Sequence, residues 1–137
     1  MKKNCDISIL VPIFNEQDSI LTLFKQIKNN IDLKYIWELI FVNDGSTDKS
    51  REIILNLVEL HNNVKLIDSP INKGKSESLY QGFQYCHGNI IITMDGDLQD
   101  DPSEINNFLS KINEGYDMVS GWKKNRKDPL SKIIPSK

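Results

Sequence analysis

Cysteine and histidine are scarce in this chain of 137 residues, which contains two of each. Cys5 and Cys86 stand far apart in the sequence and lack the short spacing of a metal-binding pair. We therefore expect reduced thiols, which fits a cytoplasmic protein. The sequence also offers no Ser/His/Asp or Cys/His set for nucleophilic catalysis.

Long apolar segments are also absent. The apolar run that follows Cys5 has about six residues and is interrupted by Asn15-Glu16, so it is too short for the core of a signal peptide. No run approaches the roughly 20 apolar residues of a membrane span. We therefore expect a cytoplasmic chain that is soluble by itself and that could dock at the cytoplasmic face of a membrane.

A strong excess of charge of one sign is missing, since the formal net charge is −2. This balance gives no indication of nucleic acid binding. One basic cluster, Lys123 to Lys127, is by itself typical of a solvated segment. Length and composition fit a single compact domain over residues 1–137 with a buried core.

What the sequence does contain is an alternation of apolar strands and amphipathic helices. Strands are predicted at residues 7–12, 37–42, 64–68, 89–94 and 117–120. Helices are predicted at residues 19–30, after a cap at Ser46 or Asp48, at residues 76–87, and from an N-cap at Asp101 to an end at Gly115. This order predicts an α/β fold, a Rossmann-like and mainly parallel sheet flanked by helices.

Polar loops follow four of these strands, and in such a sheet all four loops meet at one edge. In the first loop, Pro12 stiffens the turn, Phe14 can flank a flat base and Glu16 can accept a hydrogen bond from a sugar hydroxyl. In the second loop, Asp44 can face the N–H edge of a base. Each loop alone is also consistent with an ordinary turn before a helix. Their expected convergence is what indicates a binding site.

The third loop contains Gly74-Lys75-Ser76, which looks like the end of a P-loop. That motif needs a glycine five residues before Gly74, where this chain has Ser69. We therefore reject a P-loop. Lys75 remains a candidate, because a glycine-containing turn at a helix N-terminus can bind phosphate or ribose.

The fourth loop, Asp95-Gly96-Asp97 with Gln99 close behind, is the most informative part of the chain. Two carboxylates and an amide oxygen so close together repel unless a hard divalent cation lies between them, which predicts Mg²⁺ or Mn²⁺. An EF-hand is excluded, because its glycine and glutamate positions hold Asp100 and Asn106. A phosphatase-type Asp-x-Asp nucleophile is disfavoured, since it normally follows the first strand.

Taken together, these motifs resemble the inverting family 2 glycosyltransferases of GT-A fold. The resemblance covers Ile7 to Asp128 and rests on the order and spacing of Val-Pro-x-x-Asn-Glu, Asn-Asp-Gly-Ser-Thr-Asp, Asn-x-Gly-Lys and Met-Asp-Gly-Asp. The continuation Leu98 to Pro102 and the segment Ser120 to Asp128 are similar to the branch that contains dolichyl-phosphate mannose synthase and the polyprenyl-phosphate glycosyltransferases.

The resemblance implies transfer of a sugar from a UDP- or GDP-linked donor to a lipid phosphate, with inversion, as in the synthesis of cell-envelope glycans. The implied donor-binding residues are Pro12, Phe14, Glu16, Asp44, Lys75, Asp95 and Gly96. Asp95, Asp97 and Gln99 would bind Mg²⁺ or Mn²⁺, with Asp97 as the catalytic residue. Lys123 and Arg126 would face phosphate charge on the donor or the acceptor.

The sequence departs from the family pattern in three ways. Asn43 stands where Asp is more usual, which removes a charge near the base. Lys123 stands where Arg is usual and cannot make the same bidentate phosphate contact. The sequence stops at Lys137, before the acceptor-binding segment of the family. We therefore expect this chain to bind nucleotide and metal but to turn over poorly or not at all.

Two other functions stay open at this point. A non-catalytic module that binds a nucleotide sugar or a metal is the first. A phosphatase or nucleotidyltransferase on a similar sheet is the second, although the N-terminal glycine-rich loop of a nucleotidyltransferase is missing. A homodimer formed through an exposed sheet edge is a further expectation.

Overall fold

The computed structural model describes residues 4–112 and the backbone of two further strands at 116–120 and 133–135. The elements in chain order are β1 (Ile7–Ile13), α1 (Ile20–Asn30), β2 (Trp37–Asp44), α2 (Ser50–Leu60), β3 (Val64–Ser69), α3 (Lys75–Phe83), β4 (Ile90–Thr93), a 3₁₀ helix (Pro102–Glu104), α4 (Ile105–Ile112), β5 (Tyr116–Ser120) and β6 (Ile133–Pro135).

The strands form one sheet in the order β3-β2-β1-β4-β5-β6. The first five strands in this order are parallel, and β6 runs antiparallel to β5. From β1 the chain builds the sheet to one side and then returns to β4 on the other side. The carboxyl ends of β1 and β4 are therefore the point where the strand order reverses, which is where ligands bind in open α/β sheets. The predicted α/β class and mainly parallel sheet are confirmed.

The core lies on both faces of the sheet because alternate residues of a strand point to opposite sides. Ile9 and Val11 of β1 pack with α1, α2 and α4, whereas Leu10 packs on the other face with the α3 side chains Leu79 and Phe83. The central strands read as continuous apolar runs because both of their faces are covered.

Pro12 lies inside a central strand, where a proline is normally excluded. β1 pairs with β2 along its whole length but with β4 only from Ile7 to Leu10. Pro12 therefore stands beyond the last β4 pair, where the two strands separate. The strand extends through Ile13, one residue past the predicted end, and Pro12 stiffens the end of the strand instead of a turn.

Two helix boundaries differ from the prediction for identifiable reasons. The predicted helix at 76–87 ends at Phe83. The backbone N–H groups of His87 and Gly88 instead donate to Glu38 Oε2 (2.6 Å) and Ser8 Oγ (2.7 Å), which draws the chain towards β1 and β2. Neither predicted cap of α2, Ser46 or Asp48, is at the N-cap, which is Lys49. Asp48 lies one residue earlier and accepts from Ser50 N–H (2.9 Å), whereas Ser46 Oγ accepts from Asn15 N–H in the first loop.

The start of the fourth helical segment is confirmed, since Asp101 Oδ1 accepts from Ser103 N–H at 3.0 Å and Pro102 opens the first turn. The first turn is a 3₁₀ helix, and α4 follows it. The short strand β6 was not predicted. The expected helix end at Gly115 lies outside the described residues.

A buried charged network closes the amino-terminal edge of the sheet. Glu38 is 4% exposed and accepts hydrogen bonds from Ser8 Oγ (2.5 Å), Lys65 Nζ (2.8 Å) and His87 N–H (2.6 Å). Burial alone would raise the pKa of Glu38, but these bonds outweigh it and lower the pKa to about 2. One carboxylate therefore joins β1, β2, β3 and the segment before β4.

Within the described part of the chain, no helix combines the length and the apolar composition that a membrane crossing requires.

Candidate functional site

An open cleft of about 400 Å³ lies at the carboxyl edge of the sheet, where β1 and β4 separate. Its walls come from the ends of β1 and β2 and from the loops after β1, β3 and β4. The sequence predicted that these parts of the chain converge. The described lining residues are Pro12, Ile13, Phe14, Glu16, Asp44, Asn72, Gly74, Lys75, Asp95, Gly96 and Asp97. All predicted donor-site residues, and the predicted metal ligands Asp95 and Asp97, are thus in one place.

The first two loops are held together by Asn15, whose backbone is left-handed at φ 52°. Its side-chain oxygen accepts from the N–H groups of Thr47 (2.8 Å) and Asp48 (3.2 Å), and its own N–H donates to Ser46 Oγ (2.9 Å). Glu16 N–H donates to Ser50 Oγ at 2.9 Å. These bonds fix the backbone on which Phe14 and Glu16 stand. This role of Asn15 was not predicted from the sequence.

Glu16 stands close to the acidic loop after β4. Partial burial, together with the negative charges of Asp97, Asp48 and Asp95, raises the pKa of Glu16 above its ordinary value. Ser19 Oγ donates to the Gly96 carbonyl at 2.5 Å, which ties α1 to the same loop. The cleft therefore concentrates negative charge on its β4 side.

Both carboxylate oxygens of Asp44 accept hydrogen bonds from the third loop. Oδ1 accepts from Lys73 N–H (2.7 Å) and Oδ2 from Gly74 N–H (2.9 Å), while Asn72 Nδ2 donates to the Asp44 carbonyl (3.1 Å). Gly74 has φ 101°, a conformation that favours glycine. Asp44 therefore clamps the turn from which α3 starts.

Lys75, the first residue of α3, reaches across the cleft and forms an ion pair with Asp95 Oδ1. The Asp95 side chain is 15% exposed and that of Lys75 is 49% exposed. Lys75 is the one cationic side chain among the described lining residues. The pair therefore offsets part of the acidic charge from within the cleft.

The predicted metal ligands separate into two groups. Asp95 and Asp97 line the cleft, and the Asp95 backbone N–H donates to buried Asp100 Oδ2 at 2.7 Å. Gln99 is exposed and does not line the cleft; its backbone N–H donates to Asp97 Oδ1 at 3.1 Å. Among the residues that the structure describes, no group of three His, Cys, Asp or Glu side chains is arranged to hold a metal.

The two cleft carboxylates nevertheless fit a divalent cation of the Mg²⁺ type. Mg²⁺ is usually bound by one or two carboxylates together with water and substrate phosphates, not by a closed protein cage. Repulsion from neighbouring carboxylates raises the pKa of Glu16, and a divalent cation bound at the cleft would reduce that repulsion.

Asn43 lies beside the cleft with a role that the sequence did not suggest. Its Nδ2 donates to Asp68 Oδ1 at 2.8 Å, and Arg51 Nε pairs with Asp68 Oδ2 at 2.5 Å. Burial disfavours the charged form of Asp68, but these partners outweigh it and lower its pKa. An Asp at position 43 would face Asp68 with a like charge. Asn43 therefore suits its neighbour on β3.

Asn15 and Asn72 support the site and were not among the predicted site residues. Each acts through backbone geometry or through hydrogen bonds between loops, for which the local sequence gives little signal. Lys123 and Arg126, the predicted phosphate contacts, lie outside the described residues.

Solved structures with this arrangement are glycosyltransferases of GT-A fold. TarS 1–349 of S. aureus in complex with UDP-GlcNAc has a TM-score of 0.69 and 19% identity, over 91% of this chain and 37% of that one. The mannosyltransferase PcManGT of Pyrobaculum calidifontis in complex with GDP-Man and Mn²⁺ has a TM-score of 0.65 and 21% identity, over 78% and 32%. At these identities the likeness defines the fold, which is GT-A.

The family model for glycosyl transferase family 2 matches residues 8–137, and the chain belongs to that family. A relative with 37% identity over 133 residues is the undecaprenyl-phosphate 4-deoxy-4-formamido-L-arabinose transferase of Photorhabdus laumondii, where the match covers 96% of this chain and 41% of the relative. The chain spans about 40% of the length of the first curated relatives it matches, between 38% and 41%.

Proposed function

We propose that residues 1–137 form the donor-binding domain of a glycosyltransferase that uses a nucleotide-diphospho-sugar. The observation that carries this proposal is the convergence of four loops on one cleft, with the predicted donor residues and both Asp-x-Asp carboxylates in its lining. Family membership supports the reaction class, and the complexes of fold neighbours with UDP-GlcNAc and GDP-Man support a nucleotide sugar as ligand.

The β1 and β2 side of the cleft would hold the nucleoside. Phe14 is 46% exposed at the cleft and can stack on a base, and Pro12 stiffens the strand end beside it. Glu16 can accept a hydrogen bond from a ribose hydroxyl. Each carboxylate oxygen of Asp44 accepts one N–H from the third loop and keeps a lone pair for the base. Asp44 would therefore both contact the base and support that loop.

The β4 side of the cleft would hold the diphosphate. Asp95 and Asp97 would bind Mg²⁺ or Mn²⁺, which when bound neutralises the charge that develops on a departing diphosphate. Gly96 keeps the loop close to β1, because a Cβ at this position would lie 2.5 Å from Ile13 Cδ1. Lys75 adds a cationic side chain to the cleft. Gln99 would need a rearrangement of the loop to act as a third ligand.

We propose a polyprenyl phosphate as the acceptor, because the relative named above is by its name an undecaprenyl-phosphate transferase. A phosphate oxygen would attack the anomeric carbon while the bond from that carbon to the nucleoside diphosphate breaks, with inversion. The nucleophile is already anionic at neutral pH and needs little general-base help, so orientation and charge stabilisation lower the barrier. Lys123 and Arg126 would contact phosphate, and the enzyme would work at the cytoplasmic face of the membrane in envelope glycan synthesis.

A binding module without transfer activity is the second candidate. It is supported by the cleft itself, whose described lining lies entirely between Pro12 and Asp97. Transfer to a polyprenyl phosphate, measured with this chain and with a chain of the relatives' length, separates the two candidates.

Calorimetric titration with UDP and with GDP, each with and without Mn²⁺, tests donor binding. We expect metal-dependent binding of one nucleotide, a loss of at least about tenfold in Asp97→Ala, and no loss in Asp32→Ala. Asp32 is an exposed carboxylate in the loop before β2, at the other edge of the sheet. Absence of binding by the folded chain for both nucleotides would contradict the proposal.

A further inference from the structure

We propose that Lys75 is the internal counter-ion of the cleft: its ammonium takes the place of the divalent cation at Asp95 and turns to the donor diphosphate when that cation binds. This inference rests on the proposed function and adds a regulatory step to the same site.

The charges of the cleft lining give the first reason. Glu16, Asp44, Asp95 and Asp97 bring four carboxylates to the described lining, against the one ammonium of Lys75. A nucleoside diphosphate brings further negative charge, so it would be repelled from this cleft without added cations. The ion pair of Lys75 with Asp95 reduces that acidity in the absence of ligands.

The unequal exposure of the two partners gives the second reason. Asp95 is mostly covered, with 15% of its side chain exposed, so a cationic partner stabilises its carboxylate. Lys75 is 49% exposed, so its ammonium can leave the pair and be hydrated or take another anion. The two cations can therefore exchange at Asp95.

The anchoring of the lysine backbone gives the third reason. Asp44 accepts from the N–H groups of Lys73 and Gly74, directly before α3 begins at Lys75. The Lys75 backbone is thus held at the cleft, while its four-carbon side chain keeps rotational freedom. A displaced ammonium would remain within the cleft, where the diphosphate is proposed to bind.

This arrangement predicts opposite effects of Lys75 on its two ligands. The lysine competes with the metal for Asp95 when the nucleotide is absent, and it attracts the diphosphate when the metal is present. Metal and nucleotide should therefore bind with positive coupling, and part of that coupling should depend on Lys75.

Titration of the chain with Mn²⁺ alone, followed by the electron paramagnetic resonance signal of free Mn²⁺, tests the competition. We expect Lys75→Met to bind Mn²⁺ about three- to tenfold more tightly than the parent chain, as expected for removal of a partly exposed competing charge. Lys75→Arg keeps the charge and should show no such gain. Lys73→Met removes a neighbouring exposed lysine that does not line the cleft, and its Mn²⁺ affinity should stay within about twofold.

Titration of the same variants with UDP and GDP at saturating Mn²⁺ tests the second half of the exchange. We expect Lys75→Met to lose about tenfold in nucleotide affinity, on the scale of one charge-assisted phosphate contact. Circular dichroism melting confirms that each variant is folded.

Unchanged or weaker Mn²⁺ binding by folded Lys75→Met would overturn the inference, as would an equal gain in Lys73→Met. Either result leaves the proposed function intact if the parent chain still binds nucleotide with Mn²⁺. If the parent chain binds no nucleotide, the proposed function fails, and the comparison of Mn²⁺ affinities still decides whether Lys75 competes at Asp95.

Discussion

At the scale of single residues, the cleft depends on side chains that serve the backbone of another loop. Asp44 lies in β2 but binds the turn before α3, and Asn15 follows β1 but binds the loop after β2. Such bonds fix where Phe14, Glu16 and Lys75 stand. Mutations at the supporting residues should therefore change stability and ligand binding together.

Asp44→Asn tests this coupling. The substitution replaces one acceptor oxygen by an NH₂ group that would face a backbone N–H of Lys73 or Gly74. We expect the free energy of unfolding to fall by about 1 to 3 kcal/mol, the cost of an unsatisfied buried donor, and nucleotide affinity to fall with it. Asp32→Asn is the matched control, because Asp32 Oδ1 accepts one backbone N–H at an exposed position. Equal effects of the two variants would contradict the role of Asp44.

Glu16→Gln should make the chain more stable at neutral pH. A carboxyl group whose pKa is raised by folding favours the folded state while it is protonated, and this contribution is lost as the pH rises through its folded pKa. We expect a gain of about 0.5 kcal/mol at pH 7 that disappears near pH 4, measured by thermal unfolding. The exposed Glu59→Gln should show no such gain. Nucleotide affinity should fall in Glu16→Gln if Glu16 contacts the ribose.

The predicted cleft residues are in place because motif and topology agree: each polar loop ends a parallel strand, and parallel strands end at one edge. Gln99 was expected at the metal, yet it is exposed, and its N–H binds Asp97 next to Leu98 at φ 66°. Local spacing indicates which oxygens are near each other but not which way a loop turns. For that reason Asn15 and Asn72 were also missed.

At the scale of elements, the spacing of apolar residues was sufficient to predict the helices that pack on the sheet through one apolar face. One face of α1 buries Ile20, Phe24 and Ile27, and α4 buries Ile105 and Leu109. The end of α3 was predicted four residues late, because bonds to Glu38 and Ser8 compete with the helix. The strand β6 has three residues, too few for a sequence pattern.

The Glu38 network gives a pH-dependent prediction at this scale. The lowered pKa, about 2, means that the carboxylate stabilises the fold above its ordinary pKa and that this contribution is lost as the pH falls through the folded pKa. We expect Glu38→Gln to lower the free energy of unfolding by about 2 kcal/mol at pH 7. The difference from the parent chain should shrink between about pH 4.5 and pH 2.

Chemical denaturation at several pH values measures this difference, with Glu59→Gln as an exposed control. The network lies at the amino-terminal edge of the sheet, away from the cleft, so Glu38→Gln should bind nucleotide like the parent chain while it remains folded. A pH-independent difference in stability would show that the charge of Glu38 is not what stabilises this edge.

At the scale of the whole molecule, the amino-terminal and carboxyl-terminal ends of the parallel strands have different roles. The amino-terminal edge holds a satisfied charge network, whereas the carboxyl edge holds an acidic cleft whose main cationic partner is exposed. The predicted homodimer through a sheet edge stays a prediction. β3 forms one edge of the sheet, and light scattering on the purified chain tests whether two copies associate.

The most direct measurement is a ¹⁵N-correlation NMR titration of the chain with UDP or GDP in the presence of Mg²⁺. We expect the chemical-shift changes to concentrate on the amides around the cleft, at Phe14, Glu16, Gly74, Lys75 and Asp95 to Asp97. Amides at the opposite edge, at Trp37, Glu38 and His87, should stay in place. Shifts confined to that opposite edge, or none with either nucleotide, would contradict a donor site at the carboxyl edge.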